Sequence, residues 1–228
     1  MNINLLLEEF CQYSMYIRGF SKETIKRYKL QSGYFLRHSL IETSEEITER
    51  KVRDFFMFGR VSKKWKTTTF ISYHMSLLVF FRWLVKNEYL EKNYIEEIEK
   101  PKLEKRLPSR LKKEEALRLL EIVYNLPYTY HYLRHRNKAI FATFIFSGLR
   151  KSELLNLKLT DIDIENLTLF VRQGKGNKDR IIPLSFTHAQ ILKTYLKERK
   201  RLNKTCPEFF TSVNRNQGLT TSGLKRLV

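Results

Sequence analysis

The chain has 228 residues, 43 Lys and Arg against 24 Asp and Glu, 42% hydrophobic residues and 13% aromatics. That apolar fraction builds a packed core and excludes intrinsic disorder. A formal charge of +19 costs self-repulsion, which a polyanionic partner relieves: nucleic acid first, an anionic membrane surface second.

The most apolar run, SLLVFFRWLV at 76–85, falls short of the roughly 20 residues a membrane span needs and is interrupted by Arg82. It reads as the buried face of a helix, and no membrane partner is expected. The opening MNINLLLEEFCQY carries acidic residues where a signal peptide is positively charged, so a cytoplasmic location is expected. Cys11 and Cys206 are too few for a disulfide framework or a four-ligand zinc site, and they read as ordinary thiols in a reducing compartment.

In chain order, apolar positions recur at helical spacing over 3–18, 22–38, 48–59 and 66–86, with no strand alternation between them. Residues 1–100 are therefore predicted to form a helical bundle. Ser21, ahead of Glu23 and Thr24, and Thr48, ahead of Glu49 and Lys51, read as helix starts, because short polar side chains accept the free N–H groups of a first turn. Gly19 and Gly33 read as breaks. PKLEKRLPSR at 101–110 follows, where Pro101 and Pro108 each remove a backbone N–H and disfavour helix in the preceding residue. It reads as an extended basic linker. Charge divides at the same place: 17 basic and 13 acidic residues up to position 100, 26 and 11 beyond it.

The remainder, 111–228, predicts helices over 111–126 and 136–157, the second divided by Ser147 and Gly148. Over 161–185 the period changes to short β-branched and aromatic runs separated by Glu165-Asn166 and by GKGNK, the pattern of a small antiparallel sheet. Helical spacing returns over 187–202, and TTSGLKRLV reads as the opening of another helix.

Two places carry chemistry. In FSGLRKSELLNL, Ser147 and Gly148 break one helix and deliver Arg150 to the start of the next, with Glu153 three residues on along the same face. A guanidinium so placed offers a planar fork matched to two oxygens of one phosphate; the plainer alternative is a surface ion pair. In GKGNKDR at 174–180, Lys175 and Lys178 occupy a glycine-bearing turn from which an ammonium reaches a backbone or donates a proton to a leaving oxygen; the plainer alternative is a solvated hairpin tip. Asp161 and Asp163 spell an Asp-x-Asp without a supporting His, Cys or third carboxylate, so a strand-edge role is expected. No nucleotide-cradling loop is present.

Together, GLR-x-x-E at 148–153 and the later GKGNK lysine resemble the tyrosine recombinases, the phage integrase family, and within it the Xer-like bacterial recombinases and transposon integrases. The likeness extends back through RLPSRL to FSKETIKRY and TTTFISYHMSLLVFFRWLVKNEYL. It implies a mainly α fold with a small antiparallel β-sheet: a helical, SAM-like core-binding domain at 1–100 and an α+β catalytic domain at 111–228. It implies Arg150 and Lys175 as catalytic residues with Glu153 in support, a tyrosine attacking a phosphodiester to give a 3′-phosphotyrosyl link, and no metal or cofactor. The implied partners are double-stranded DNA bearing inverted-repeat half-sites and further protomers assembled on it, with a monomer in solution.

DNA contacts are expected from Lys22, Lys26, Arg27 and Lys29 at one helix start, from Lys63, Lys64, Lys66 and Thr67 at another, and from Lys105, Arg106, Arg110, Lys178 and Arg180. Each could equally be a solvated charge. The chain departs from the family pattern downstream of the lysine, where His-x-x-Arg and the nucleophilic tyrosine are expected. Tyr195 is the one tyrosine after Arg150, sits within a helical run and reads as a packing residue. HYLRH at 131–135 matches the second motif in spelling but precedes Arg150, so His131, Arg134 and His135 are expected in surface and helix-start roles. The expectation is a recombinase cut short, which binds DNA and fails to cleave it. The alternatives are a non-catalytic module that modulates an intact recombinase and a general basic nucleic-acid binder.

Overall fold

The computed structural model describes residues 1–104, 110–172 and 179–227. The chain divides into two units, Met1–Leu107 and Pro108–Val228.

Among the described residues the first unit holds four α-helices, α1 (Ile3–Tyr16), α2 (Lys22–His38), α3 (Glu49–Val61) and α4 (Thr67–Lys86). Asn2, Ser21 and Thr48 cap the first three, each side chain accepting first-turn N–H groups. On α1 the residues Ile3, Leu6, Leu7, Phe10, Cys11 and Ser14 are buried, the three-and-four spacing that turns one stripe inward. Gly19 adopts a left-handed turn (φ 66°) between α1 and α2. Gly33, read as a break, instead lies buried within α2. A Cβ there would stand 3.2 Å from the flexible end of Arg37 on the same helix and at an ordinary 3.9 Å from Leu7, so Gly33 neither breaks the helix nor fills a place that only glycine fits.

By length and composition α4 would pass for a membrane span, yet Phe70, Leu77, Phe80, Phe81 and Leu84 on it belong to this unit's core. α2 and α4 run antiparallel: Gln31 donates to Ser72 (2.9 Å) and Tyr34 lies beside Tyr73, whereas Tyr28 and Trp83 both meet Phe10.

In the second unit, α5 (Lys113–Asn125), α6 (His131–Ser147) and α7 (Lys151–Asn156) precede the strands β1 (Ile162–Asp163), β2 (Thr168–Val171) and β3 (Arg180–Pro183), and α8 (Phe186–Arg201) and α9 (Thr221–Lys225) follow. The sheet is antiparallel in the order β1-β2-β3, with Leu169 opposite Ile162 and Ile182, and Val171 opposite Arg180. Alternation along β2 buries Leu169 and Val171. Tyr132, Ala139 and Ile140 of α6 meet Leu192 and Tyr195 of α8, Phe209 and Phe210 in the core.

α6 begins at His131, five residues before the sequence predicts, because in HYLRH only Tyr132 is buried and the segment shows no apolar stripe at helical spacing. Arg136 is accommodated by donating to the Thr211 carbonyl (3.0 Å) and to Asn137 Oδ1. Both cysteines are free.

Candidate phosphate-binding site

The site is built on the turn between α6 and α7. Gly148 takes the left-handed conformation (φ 58°, ψ 30°) and its N–H closes on the Phe144 carbonyl, ending α6. Leu149 is buried, and Arg150 becomes the extended N-cap residue of α7. Nothing stands within 4 Å of where a Gly148 Cβ would lie, so Gly148→Ala meets backbone strain alone. It is expected to cost about 1–2 kcal/mol, read as a lowered urea midpoint.

Glu153 ties this corner to the sheet. Its Oε2 accepts the Arg150 backbone N–H (2.8 Å) and its Oε1 the Arg150 guanidinium (2.9 Å). From β3, Arg180 grips the same carboxylate with both terminal nitrogens, at 3.0 and 2.8 Å. The Glu153 side chain is 4% exposed, against 55% for Arg150 and 36% for Arg180. The carboxylate is therefore a buried anchor holding two guanidinium groups that still face solvent. The Arg180 hydrogen bonds, with those from Arg150, hold its pKa down at about 2. One carboxylate against two cations leaves a net positive corner, pre-organised to receive an anion.

His188 of α8 supports the turn from below. Thr143 donates its hydroxyl proton to the Ala139 carbonyl (2.8 Å), so its oxygen receives a proton from His188 Nε2 (3.1 Å), and Nδ1 then accepts from Ser147 (3.4 Å). Burial lowers the pKa of this imidazole to about 4, keeping it neutral. Nothing in the sequence marked His188, since its partners lie 45 and 41 residues away.

Asp163 stands on β1, whereas Asp161, expected at a strand edge, lies in the short turn just before it. Asp161 accepts the Lys158 N–H (2.9 Å) and Arg172 Nε (2.7 Å), and Asp163 closes the β1–β2 turn by accepting from the Glu165 and Asn166 N–H groups. Tyr195 is fully buried. Its hydroxyl donates to the Phe209 carbonyl (2.9 Å), accepts the Thr211 N–H (3.2 Å) and lies 3.0 Å from the Tyr132 hydroxyl, and burial pushes its pKa up.

Lys175 and Lys178, and Lys105 and Arg106, lie outside the described residues. Arg110 is exposed. Arg180, expected against phosphate, is held on Glu153 with its side chain still partly exposed. On the first unit Lys22, Lys26, Arg27 and Lys29 are exposed on α2, although Lys29 pairs with Glu8. Lys63, Lys64 and Lys66 are exposed with Thr67 half-buried, Lys64 in the left-handed region (φ 50°). Because α2 and α4 are antiparallel, these two groups stand at opposite ends of that helix pair.

A cation pair clamped by one carboxylate on an α+β unit, preceded in the chain by a basic helical unit, is an arrangement suited to a nucleic-acid backbone. Residues 109–228 match the phage integrase family and residues 6–91 its N-terminal SAM-like domain. The chain belongs to the phage integrase family, the tyrosine recombinases.

Among its relatives, the tyrosine recombinase XerD of Chlamydia trachomatis is 34% identical over 206 residues, covering 89% of this chain and 66% of that protein. XerA of Pyrococcus horikoshii is 32% identical over 212 residues, covering 93% and 66%. The chain thus spans about two thirds of the length of these two. The XerH recombinase in a pre-cleavage complex with its difH substrate superposes with TM-score 0.67 at 25% identity, covering 99% of this chain and 66% of that one. A lambda integrase dimer on a core site shares the fold, with TM-score 0.73 at 19% identity, covering 100% and 61%.

Proposed function

We propose that this chain binds duplex DNA at the inverted-repeat half-sites of a site-specific recombination system, with Arg150 and Arg180 gripping one backbone phosphate. The observation that carries this reading is the buried Glu153 carboxylate presenting two solvent-facing guanidinium groups. Phosphoryl transfer through a pentavalent phosphorus adds negative charge to the non-bridging oxygens. Donors fixed beforehand stabilise that charge without reorganising, each typically worth about 10²- to 10³-fold in rate. Lys175 would donate the proton to the leaving 5′ oxygen. Lys22, Lys26, Arg27, Lys63, Lys64 and Lys66 would track the backbone from the helical unit, joined to the catalytic unit by the basic stretch 101–110. XerD, XerA and XerH relatives support the recombination setting. We place the chain in the cytoplasm, as a monomer that assembles on DNA.

Of the 228 residues, the one tyrosine after Arg150 is Tyr195, and its burial denies it a phosphodiester. A buried Tyr195 is proposed as a packing residue that does not attack DNA, and binding without attack by Tyr195 also suits a module that occupies recombination sites and modulates an intact recombinase. Incubation with a nicked suicide substrate is expected to give no covalent band surviving denaturant; such a band would overturn this reading. Arg150→Ala is expected to weaken half-site binding and, for one lost phosphate contact, to reduce the slope of log K against log salt by about 0.9. An unchanged slope and footprint would remove Arg150 from the interface.

A further inference from the structure

The HYLRH segment plays no part in the arginine site, yet it brings together ligand chemistry of another kind. His131 and His135 stand one turn apart on α6, so their rings share a face, with centroids 4.7 Å apart. α8 packs against α6 and presents Glu198, whose Oε2 lies 3.3 Å from His131 Nδ1. One ligand atom from each of the three residues falls within 4.8 Å of the others. On a tetrahedral zinc ion with bonds of about 2.0–2.1 Å, neighbouring ligand atoms are separated by about 3.3 Å. The His131–Glu198 pair already has that spacing, and a side-chain rotation brings in His135.

We propose that His131, His135 and Glu198 form a three-ligand site for a divalent cation of the zinc class, linking the first turns of α6 to the last turn of α8. Two imidazoles and one carboxylate are a borderline donor set, which suits zinc and disfavours magnesium, a cation that prefers oxygen ligands and retains its waters. His135 is half-buried and makes no hydrogen bond among the described residues; it is bounded by the Tyr124 ring at 5.3 Å and by His131. Its ring nitrogens are therefore uncommitted among the described residues and open to a metal.

The opposing charges are identifiable. Arg134 and Lys138 lie over the Tyr124 ring, at 5.3 and 4.7 Å. Arg201 donates to the same Glu198 oxygen at 3.0 Å, but its side chain is 58% exposed. It can swing into water when the cation takes its place, leaving no buried charge behind. The bound ion would brace the α6·α8 pair at the end remote from the Thr143–His188–Ser147 contacts.

The test uses the full chain without an affinity tag, stripped with chelator, titrated calorimetrically with zinc chloride and separately with magnesium chloride. One equivalent of zinc is expected to bind and raise the melting temperature by several degrees, with no response to magnesium. His131→Asn and His135→Asn should each weaken zinc binding at least about tenfold. His38→Asn and Cys206→Ser should leave it unchanged. Circular dichroism in chelator verifies that every variant is folded. Absence of zinc-dependent heat, survival of binding in both α6 variants, or its loss on Cys206→Ser would each overturn the site.

Discussion

Glu153→Gln is expected to destabilise the second unit by about 2 kcal/mol at pH 7. Glutamine keeps one acceptor oxygen but turns an NH₂ toward a guanidinium, and it removes the charge that both Arg150 and Arg180 are held by. The carboxyl sits at about 2 in the folded chain against an ordinary value of 4.5. Linkage at about 1.4 kcal/mol per unit of pKa sets an upper limit of about 3–4 kcal/mol. The solvent reaching both arginines lowers it to about 2. Since the folded pKa is depressed, the stabilisation is fully present above about pH 4.5 and is lost as pH falls toward 2. Wild type and E153Q should therefore differ in urea midpoint at pH 7, and the two should converge near pH 2. A gap that persists unchanged at low pH would mean that the substitution acts through packing.

The same substitution separates positioning from simple attraction on DNA. Removing the carboxylate raises the local charge from one net positive to two, so affinity for arbitrary duplex at low salt should hold or increase. Preference for a half-site over arbitrary duplex should fall, because the guanidinium groups are no longer fixed to one phosphate geometry. Arg150→Ala weakens both. A variant that lost affinity for all duplexes equally would place Glu153 in the scaffold alone.

Local rules reached far into this fold and stopped where contacts become long-range. Ser21 and Thr48 cap α2 and α3 as their positions foretold, because a cap depends on three or four consecutive residues. Gly148 and Arg150 were legible for the same reason: the left-handed turn and the N-cap are made within four residues. Gly33 was misread, since a glycine buried inside a helix looks no different in sequence from one that breaks it. The second partner of Glu153 was also hidden. Arg180 lies 27 residues away on a strand, and only the antiparallel register that sets it opposite Val171 brings it to α7. His188, buried and neutral beneath the turn, follows the same logic.

Phe55→Ala is expected to cost the first unit about 3–5 kcal/mol, the range for deleting a buried phenylalanine. Phe55 is fully buried, and the rings of Phe35, Trp65, His38, Phe56, Tyr73 and Tyr34 surround it at centroid distances from 5.1 to 5.9 Å. The rings come from α2, α3, α4 and the α3–α4 connection, so they cannot all close on the void together. Trp65 and Trp83, the chain's two tryptophans, both belong to this unit, so fluorescence reports its unfolding selectively. The emission should shift red at a lower urea concentration in the variant.

The functional consequence lies in the loop. Trp65 stacks on Tyr73 at 4.3 Å, its carbonyl accepts from Arg60 (2.7 Å), and its ring covers Gly59; it thereby anchors the stretch that carries Lys63, Lys64 and Lys66. Phe55→Leu, which fills most of the volume, should retain most of the stability while loosening the edge contact to Trp65. If that anchor orders the lysines for a phosphate backbone, F55L should bind half-site DNA more weakly than wild type under conditions where both are fully folded, with an unaltered salt slope because no charge has been removed. Equal affinity for folded F55L and wild type would show that the lysine loop needs no aromatic support.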